Sequence, residues 1–212
     1  MRERFFIDSL FKSLYTDSQI MEMIRSFIAV ELTTPIQSAM GRVIKQLSPA
    51  TNVVRWVPPQ NIHLTFKFLG DIELSGVAKL QDSIKKECRQ YLPFEIHIGT
   101  LGAFPNSRQP RVIWIGVQAP PDLAALQKGI DSALSTLGYP VEGRPFSPHL
   151  TLGRVSQHAS REEVITLASL IARTTVGDLG ASRVEAVTLF RSDLRPTGSI
   201  YTALYKANLS SG

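Results

Sequence analysis

The sequence predicts an α+β fold made by internal duplication: two antiparallel sheets facing across a central cleft, with helices on the outside. Three features lead to it. Segments rich in branched and aromatic residues alternate at strand period and are separated by stretches of helical period. The string His-Leu-Thr occurs twice, as His63-Leu64-Thr65 and His149-Leu150-Thr151, and holds two of the chain's 4 histidines. The offsets also match. His63 and His149 are 86 residues apart, as are the helix starts at Pro35 and Pro121, and the strands beginning near 111 and 199 are 88 apart. Several matching offsets together argue a repeated βα(β)β-α-ββ unit.

Residues 24–32 alternate and are rich in branched side chains, which makes a strand. Thr34-Pro35 opens a helix to about residue 47, with the proline suited to the first turn. Residues 53–57 form a short strand halted by Pro58-Pro59, and the first His-Leu-Thr strand follows. Residues 74–90 have helical periodicity, and residues 94–101 and 111–117 read as strands around the loop 102–110. In the second half, residues 121–137 form a helix with Gly138 beyond its end. The second His-Leu-Thr strand starts near 149. Ser160 or Arg161 opens another helix, whose Glu162 and Glu163 suit the positive end of the helix dipole. Residues 183–190 and 199–207 are strands. No Gly/Ser-rich linker divides the halves, so residues 23–212 are expected to form a single bilobal domain. Residues 1–22 carry charges of both signs and no apolar run of a secretory signal. They are expected to be an N-terminal extension of unassigned role.

Composition narrows the function classes. No stretch approaches the roughly 20 apolar residues of a membrane span. The lone cysteine, Cys88, excludes an internal disulfide and suits a reducing cytoplasm, where a monomer is expected. A net charge of +5, from 23 basic and 18 acidic residues, tilts the protein toward an anionic partner without providing a basic tail.

The doubled string carries the chemistry. On a strand, residues i and i+2 share a face, so each copy sets an imidazole beside a hydroxyl while Leu64 or Leu150 points toward a core. A pseudo-two-fold duplication puts the two pairs on opposite walls of one cleft. Histidine titrates near neutrality, so one imidazole can take a proton from water while the other gives one to a departing alkoxide. The hydroxyls can donate to non-bridging oxygens as charge builds. A phosphodiester suits this layout. The pairs' symmetry does not assign donor and acceptor. Neither copy has Cys, Asp or Glu within it, as a metal site usually would. Walker loops, His-Glu-x-x-His, dinucleotide fingerprints and Gly-x-Ser-x-Gly are also missing. No metal or other cofactor is expected.

The flanking residues add a resemblance. Residues 24–32, Arg55-Trp56-Val57-Pro58-Pro59 and Phe66-Lys67-Phe68-Leu69-Gly70 surround the first motif. Gly102-Ala103-Phe104-Pro105, Arg144-Pro145-Phe146-Ser147-Pro148, Leu189-Phe190-Arg191-Ser192 and Tyr201 follow. From Met23 to about Asn208 the chain resembles the two-histidine (2H) phosphoesterases, specifically the RNA 2′,3′-cyclic phosphodiesterases long called 2′-5′ RNA ligases. The resemblance implies hydrolysis of RNA 2′,3′-cyclic phosphate ends to 2′-phosphates, with neither metal nor nucleotide cofactor. It implies His63 as proton donor to the departing 3′ oxygen, His149 as proton acceptor from water, and Thr65 and Thr151 as phosphate holders. It also implies that the reverse reaction, 2′-5′ joining of RNA ends, is accessible. A non-catalytic RNA- or nucleotide-binding module and a phosphodiesterase for a small cyclic nucleotide are the alternatives.

Other residues carry weaker signals. Arg154 lies five past His149, an odd offset that points to the other face of a strand unless a bend at Gly153 turns it to the cleft. It is a candidate phosphate contact, and Phe146 a candidate base-stacking residue. Phe66, Trp56 and Trp114 are expected in the core, and Arg108 and Arg111 on a solvated loop. His97 is expected on a strand surface, His158 in a solvated loop, and Cys88 inert at a helix end.

Overall fold

The structure is a computed structural model and describes residues 22–196 and 198–211. The expected extension over residues 1–22 therefore lies, apart from Glu22, outside the described residues.

Strand β1 (Met23–Glu31) opens the sheet, and its middle residues are buried on both faces. Helix α1 (Thr34–Leu47) starts with proline in its first turn and buries Ile36, Ala39, Met40, Val43 and Leu47, the three-and-four spacing of one helical face. Strand β2 (Val54–Trp56) is short, because Pro58-Pro59 follows it. Strand β3 (His63–Glu73) carries the first motif and leads to helix α2 (Val77–Cys88), which buries Val77, Leu80, Ile84 and Cys88. Strands β4 (Phe94–Phe104) and β5 (Val112–Gln118) form a hairpin. Helix α3 (Pro121–Ser135) precedes strand β6 (His149–Val155), which carries the second motif. Helix α4 (Arg161–Arg173) begins with a capping box in which Ser160 and Glu163 satisfy each other's backbone amides.

The chain ends in strands β7 (Ala181–Val184), β8 (Ala186–Arg195) and β9 (Gly198–Asn208). The single strand expected at 183–190 is thus two strands. β7 pairs with β4, whereas β8 pairs with β1, so the chain changes lobes at Glu185. No proline or glycine marks that break. What ends β7 is a change of pairing partner, which hydrophobic period does not encode.

All nine strands join one curled antiparallel sheet in the order β7-β4-β5-β6-β3-β1-β8-β9, with β2 on β6. The two expected sheets are its halves. Among the described residues they meet through one ladder pair, Leu64 opposite Leu150, at the centre of the two motifs. The duplication is also intertwined. Hairpin β4–β5 follows the first motif in sequence but packs beside the second, and β8–β9 follows the second but packs on the first motif's side through β1. Leu64 and Leu150, 1% and 0% exposed, point into the main core with the buried residues of all four helices. A separate small cluster of Phe27, Ala29 and Phe190, with Tyr201 packed on it, forms in the first lobe.

Candidate active site

The pair Leu64–Leu150 fixes the site. Counting one residue outward along an antiparallel register sets His63 across from Thr151 and Thr65 across from His149. The four side chains alternate with the two buried leucines, so they share the face opposite the helices. Diagonal neighbours in such a ladder lie about 7–8 Å apart, which leaves room for one phosphate between the imidazoles. All four line a cleft of about 840 Å³.

Both imidazoles are held in the same way. His63 donates from Nδ1 to the carbonyl of Asn61 at 2.8 Å, and His149 from Nδ1 to the carbonyl of Ser147 at 2.7 Å. A carbonyl only accepts, so Nδ1 carries the proton in both rings and Nε2 remains for chemistry. Asn61 is itself anchored, its side-chain amide donating to the Ser199 carbonyl of β9 at 2.9 Å. Among the described residues neither Thr65 nor Thr151 spends its hydroxyl on a protein acceptor. Both hydroxyls are open to a ligand.

The surroundings of the two rings differ. His63 stacks on Phe27 at 4.6 Å and meets the edge of Tyr201 at 5.3 Å, with Phe190 at 6.3 Å. Burial among these rings pushes the His63 imidazole down to about 4, and the Asn61 carbonyl acts in the opposite direction without offsetting it. His149 meets Phe104 edge-on at 4.9 Å, with Trp114 at 6.5 Å. Trp114 is half-buried and stands opposite Thr151, so it belongs to the wall beside His149 and not to the core expected for it. Phe27, Phe104 and Phe190 were not legible as site residues. They come from β1, β4 and β8, which only the folded topology brings beside the motifs.

Arg154 lines the cleft because the strand is bulged. Thr151 pairs with Trp114 and Gly153 with Ile113, so Leu152 is an extra residue on β6. The bulge inverts the alternation, and position i+5 returns to the face of His149. The same thing happens in β3. Thr65 pairs with Ala29 and Lys67 with Ile28, which leaves Phe66 extra and returns Phe68 to the face of His63. Phe68 is 61% exposed and lines the cleft, the repeat-equivalent of Arg154. The repeated i+5 offset was the sequence signal for it. Gly153 permits the close approach of β2: a Cβ there would lie 2.6 Å from Val54 Cγ1 and 3.0 Å from the Trp56 ring. Gly153→Ala is expected to cost about 1–3 kcal/mol through overpacking, read as a lowered urea midpoint.

Phe146 also lines the cleft and packs edge-on against the buried Phe66 at 5.8 Å. Arg111 lines the cleft, whereas Arg108 does not. Arg25, Arg111, Arg144 and Arg154 all reach the lining, and none is in a salt bridge among the described residues. His97 and His158 are exposed. Cys88 is fully buried and its thiol is pushed up to about 12 by that burial, which makes it inert near neutrality. Among the described residues no three His, Cys, Asp or Glu side chains gather as a metal site. None of the described helices is long and apolar enough to cross a membrane.

A family model, the 2′-5′ RNA ligase superfamily, matches residues 30–194. The chain belongs to this superfamily. A relative from Methanothermobacter thermautotrophicus, an RNA 2′,3′-cyclic phosphodiesterase by name, is 37% identical over 84% of this chain and 95% of its own. Solved structures of the superfamily fold agree. A Thermus thermophilus protein, TT0787, superposes with a TM-score of 0.74 at 28% identity, over 88% of this chain and 98% of its own. The Escherichia coli protein LigT, crystallised with 3′-AMP, superposes with a TM-score of 0.69 at 25% identity, over 90% of this chain and 100% of its own.

Proposed function

We propose that residues 23–212 act as one bilobal RNA 2′,3′-cyclic phosphodiesterase, opening the cyclic phosphate to a 2′-phosphate by acid–base chemistry without a metal. The observation that carries this reading is the pair of Nδ1 atoms committed to carbonyls. It leaves two Nε2 atoms and two open hydroxyls around the space for one phosphate. The name borne by the Methanothermobacter relative supports the same substrate. The four arginines of the lining, in no salt bridge among the described residues, suit a chain of phosphates better than a lone cyclic nucleotide.

In this mechanism Thr65 and Thr151 donate to the non-bridging oxygens. His149 takes a proton from water as its oxygen attacks phosphorus. The bond from phosphorus to the 3′ oxygen breaks, and His63 protonates that oxygen. A 5′-hydroxyl end in place of water would be joined through a 2′-5′ bond with the same roles, and the roles exchange when that bond is cleaved back to the cyclic phosphate. Arg154 neutralises phosphate charge.

The low proton affinity of His63 bears on this division. A neutral ring cannot be the donor, so His63 must take up a proton from solvent as the anionic substrate binds. Its displacement from 6.5 to about 4 is worth about 3 kcal/mol. A phosphate charge about 4 Å away returns about 4 kcal/mol at an effective dielectric of about 20. The ring face of Phe27 also favours an imidazolium. Binding of the anion therefore opposes the burial that keeps His63 neutral.

The test uses an RNA oligomer ending in a 2′,3′-cyclic phosphate, after exhaustive chelation. Full turnover is expected in the chelator. Tight binding of the oligomer without turnover would mean a binding module. Turnover restored only by added metal would remove the metal-free mechanism, and preference for a cyclic mononucleotide would replace the substrate.

A further inference from the structure

The most buried charged pair in the described structure borders the cleft, where Lys67 is part of the lining. Lys67 and Asp131 are 4% and 5% exposed. Lys67 donates from Nζ to Asp131 Oδ1 at 2.5 Å and to the Pro140 carbonyl at 2.6 Å. The second Asp131 oxygen accepts the Glu142 amide at 3.0 Å. One turn earlier on α3, Gln127 donates to the Phe66 carbonyl at 3.3 Å.

These bonds converge on one segment. Residues 140–148 have neither helix nor strand and run directly into His149. Among the described residues, the backbone of 140–147 hydrogen-bonds at three places: Pro140 to Lys67, Glu142 to Asp131, and Ser147 to the His149 ring. The far end of the segment also rests on β3, where Phe146 meets the edge of Phe66. Phe66 and Lys67 are the bulge residues of the first motif strand. One bulge therefore straps both ends of the segment that carries the Ser147 carbonyl.

A buried ion pair is a poor source of stability, since well-packed apolar residues of similar volume often do as well or better. What it supplies is a fixed geometry. We propose that Lys67 and Asp131 are positioning residues for His149: through Pro140 and Glu142 they set the segment whose Ser147 carbonyl orients the second imidazole, so the first motif strand aligns the second histidine. The kinetic part rests on the phosphodiesterase reading given above.

The test is the double variant Lys67→Met/Asp131→Leu, which removes both charges and leaves none unpaired. It is expected to fold and to lose about 10- to 100-fold in kcat through misplacement of the imidazole, with KM nearly unchanged. The nitrogen-bound proton signal of His149 Nδ1 should broaden or move, while that of His63 stays. Wild-type kcat with an unmoved His149 signal would overturn the proposal. A second measurement needs no variant. The Glu142 amide of the wild-type protein should be protected from hydrogen exchange although its segment is irregular, and exchange at the rate of an open loop would overturn the proposal even if the variant fails to fold. If the wild-type protein opens no cyclic phosphate, the functional reading fails, and the two spectroscopic measurements still decide this one.

Discussion

Replacing either His63 or His149 with alanine is expected to lower kcat on a 2′,3′-cyclic phosphate by about 100- to 10,000-fold, the range of a positioned acid or base. Each histidine uses Nδ1 on a carbonyl and has one nitrogen left, and no other imidazole reaches the cleft among the described residues. The double variant should be little worse than either single one, because an acid and a base that act on one transition state fail as a unit. Far-ultraviolet circular dichroism should show the fold retained. Wild-type turnover by either single variant would remove that histidine from the mechanism.

The second large effect is on stability against pH. The His63 imidazole titrates at about 4 in the folded protein, against 6.5 for an unperturbed histidine. Between those values the unfolded chain binds the proton and the native protein does not. Stability contributed by the neutral ring is therefore present above pH 6.5 and is lost as pH falls toward 4. The loss is at most about 3 kcal/mol. Urea midpoints of the wild type and of His63→Leu isolate it, because carboxylates contribute equally to both. The wild type should lose more stability than the variant between about pH 7 and about pH 4.5. Equal losses would mean that the ring is charged without cost. In the proposed mechanism the same desolvation makes protonation of His63 depend on the substrate's own charge.

The sequence was informative where chemistry and local period coincide. Two His-Leu-Thr strings at matched offsets implied the duplication, the shared face and the cleft, and the pairing of Leu64 with Leu150 puts those strings side by side. Other features were not legible, for distinct physical reasons. The change of lobes at Glu185 is a choice of partner, and partners are non-local. The same holds for the aromatic shell of His63, assembled from β1, β8 and β9. Strict alternation placed Arg154 on the wrong face, with Gly153 the only hint of the bulge that returns it to the cleft. Strict alternation from His63 would put Lys67 on the cleft face of its strand. Its burial follows from the bulge at Phe66, which turns it inward to meet Asp131, 64 positions away in sequence.

The proposed mechanism, two imidazoles acting on one phosphate with proton delivery to the 3′ oxygen, would leave a signature in the product. The decisive measurement is the end formed from an RNA oligomer that carries a 2′,3′-cyclic phosphate, with 2′- and 3′-phosphate ends resolved. The arrangement predicts a 2′-phosphate from the wild-type protein and no product from His63→Ala or His149→Ala. A 3′-phosphate, or a 2′-phosphate formed equally well by either variant, would contradict it.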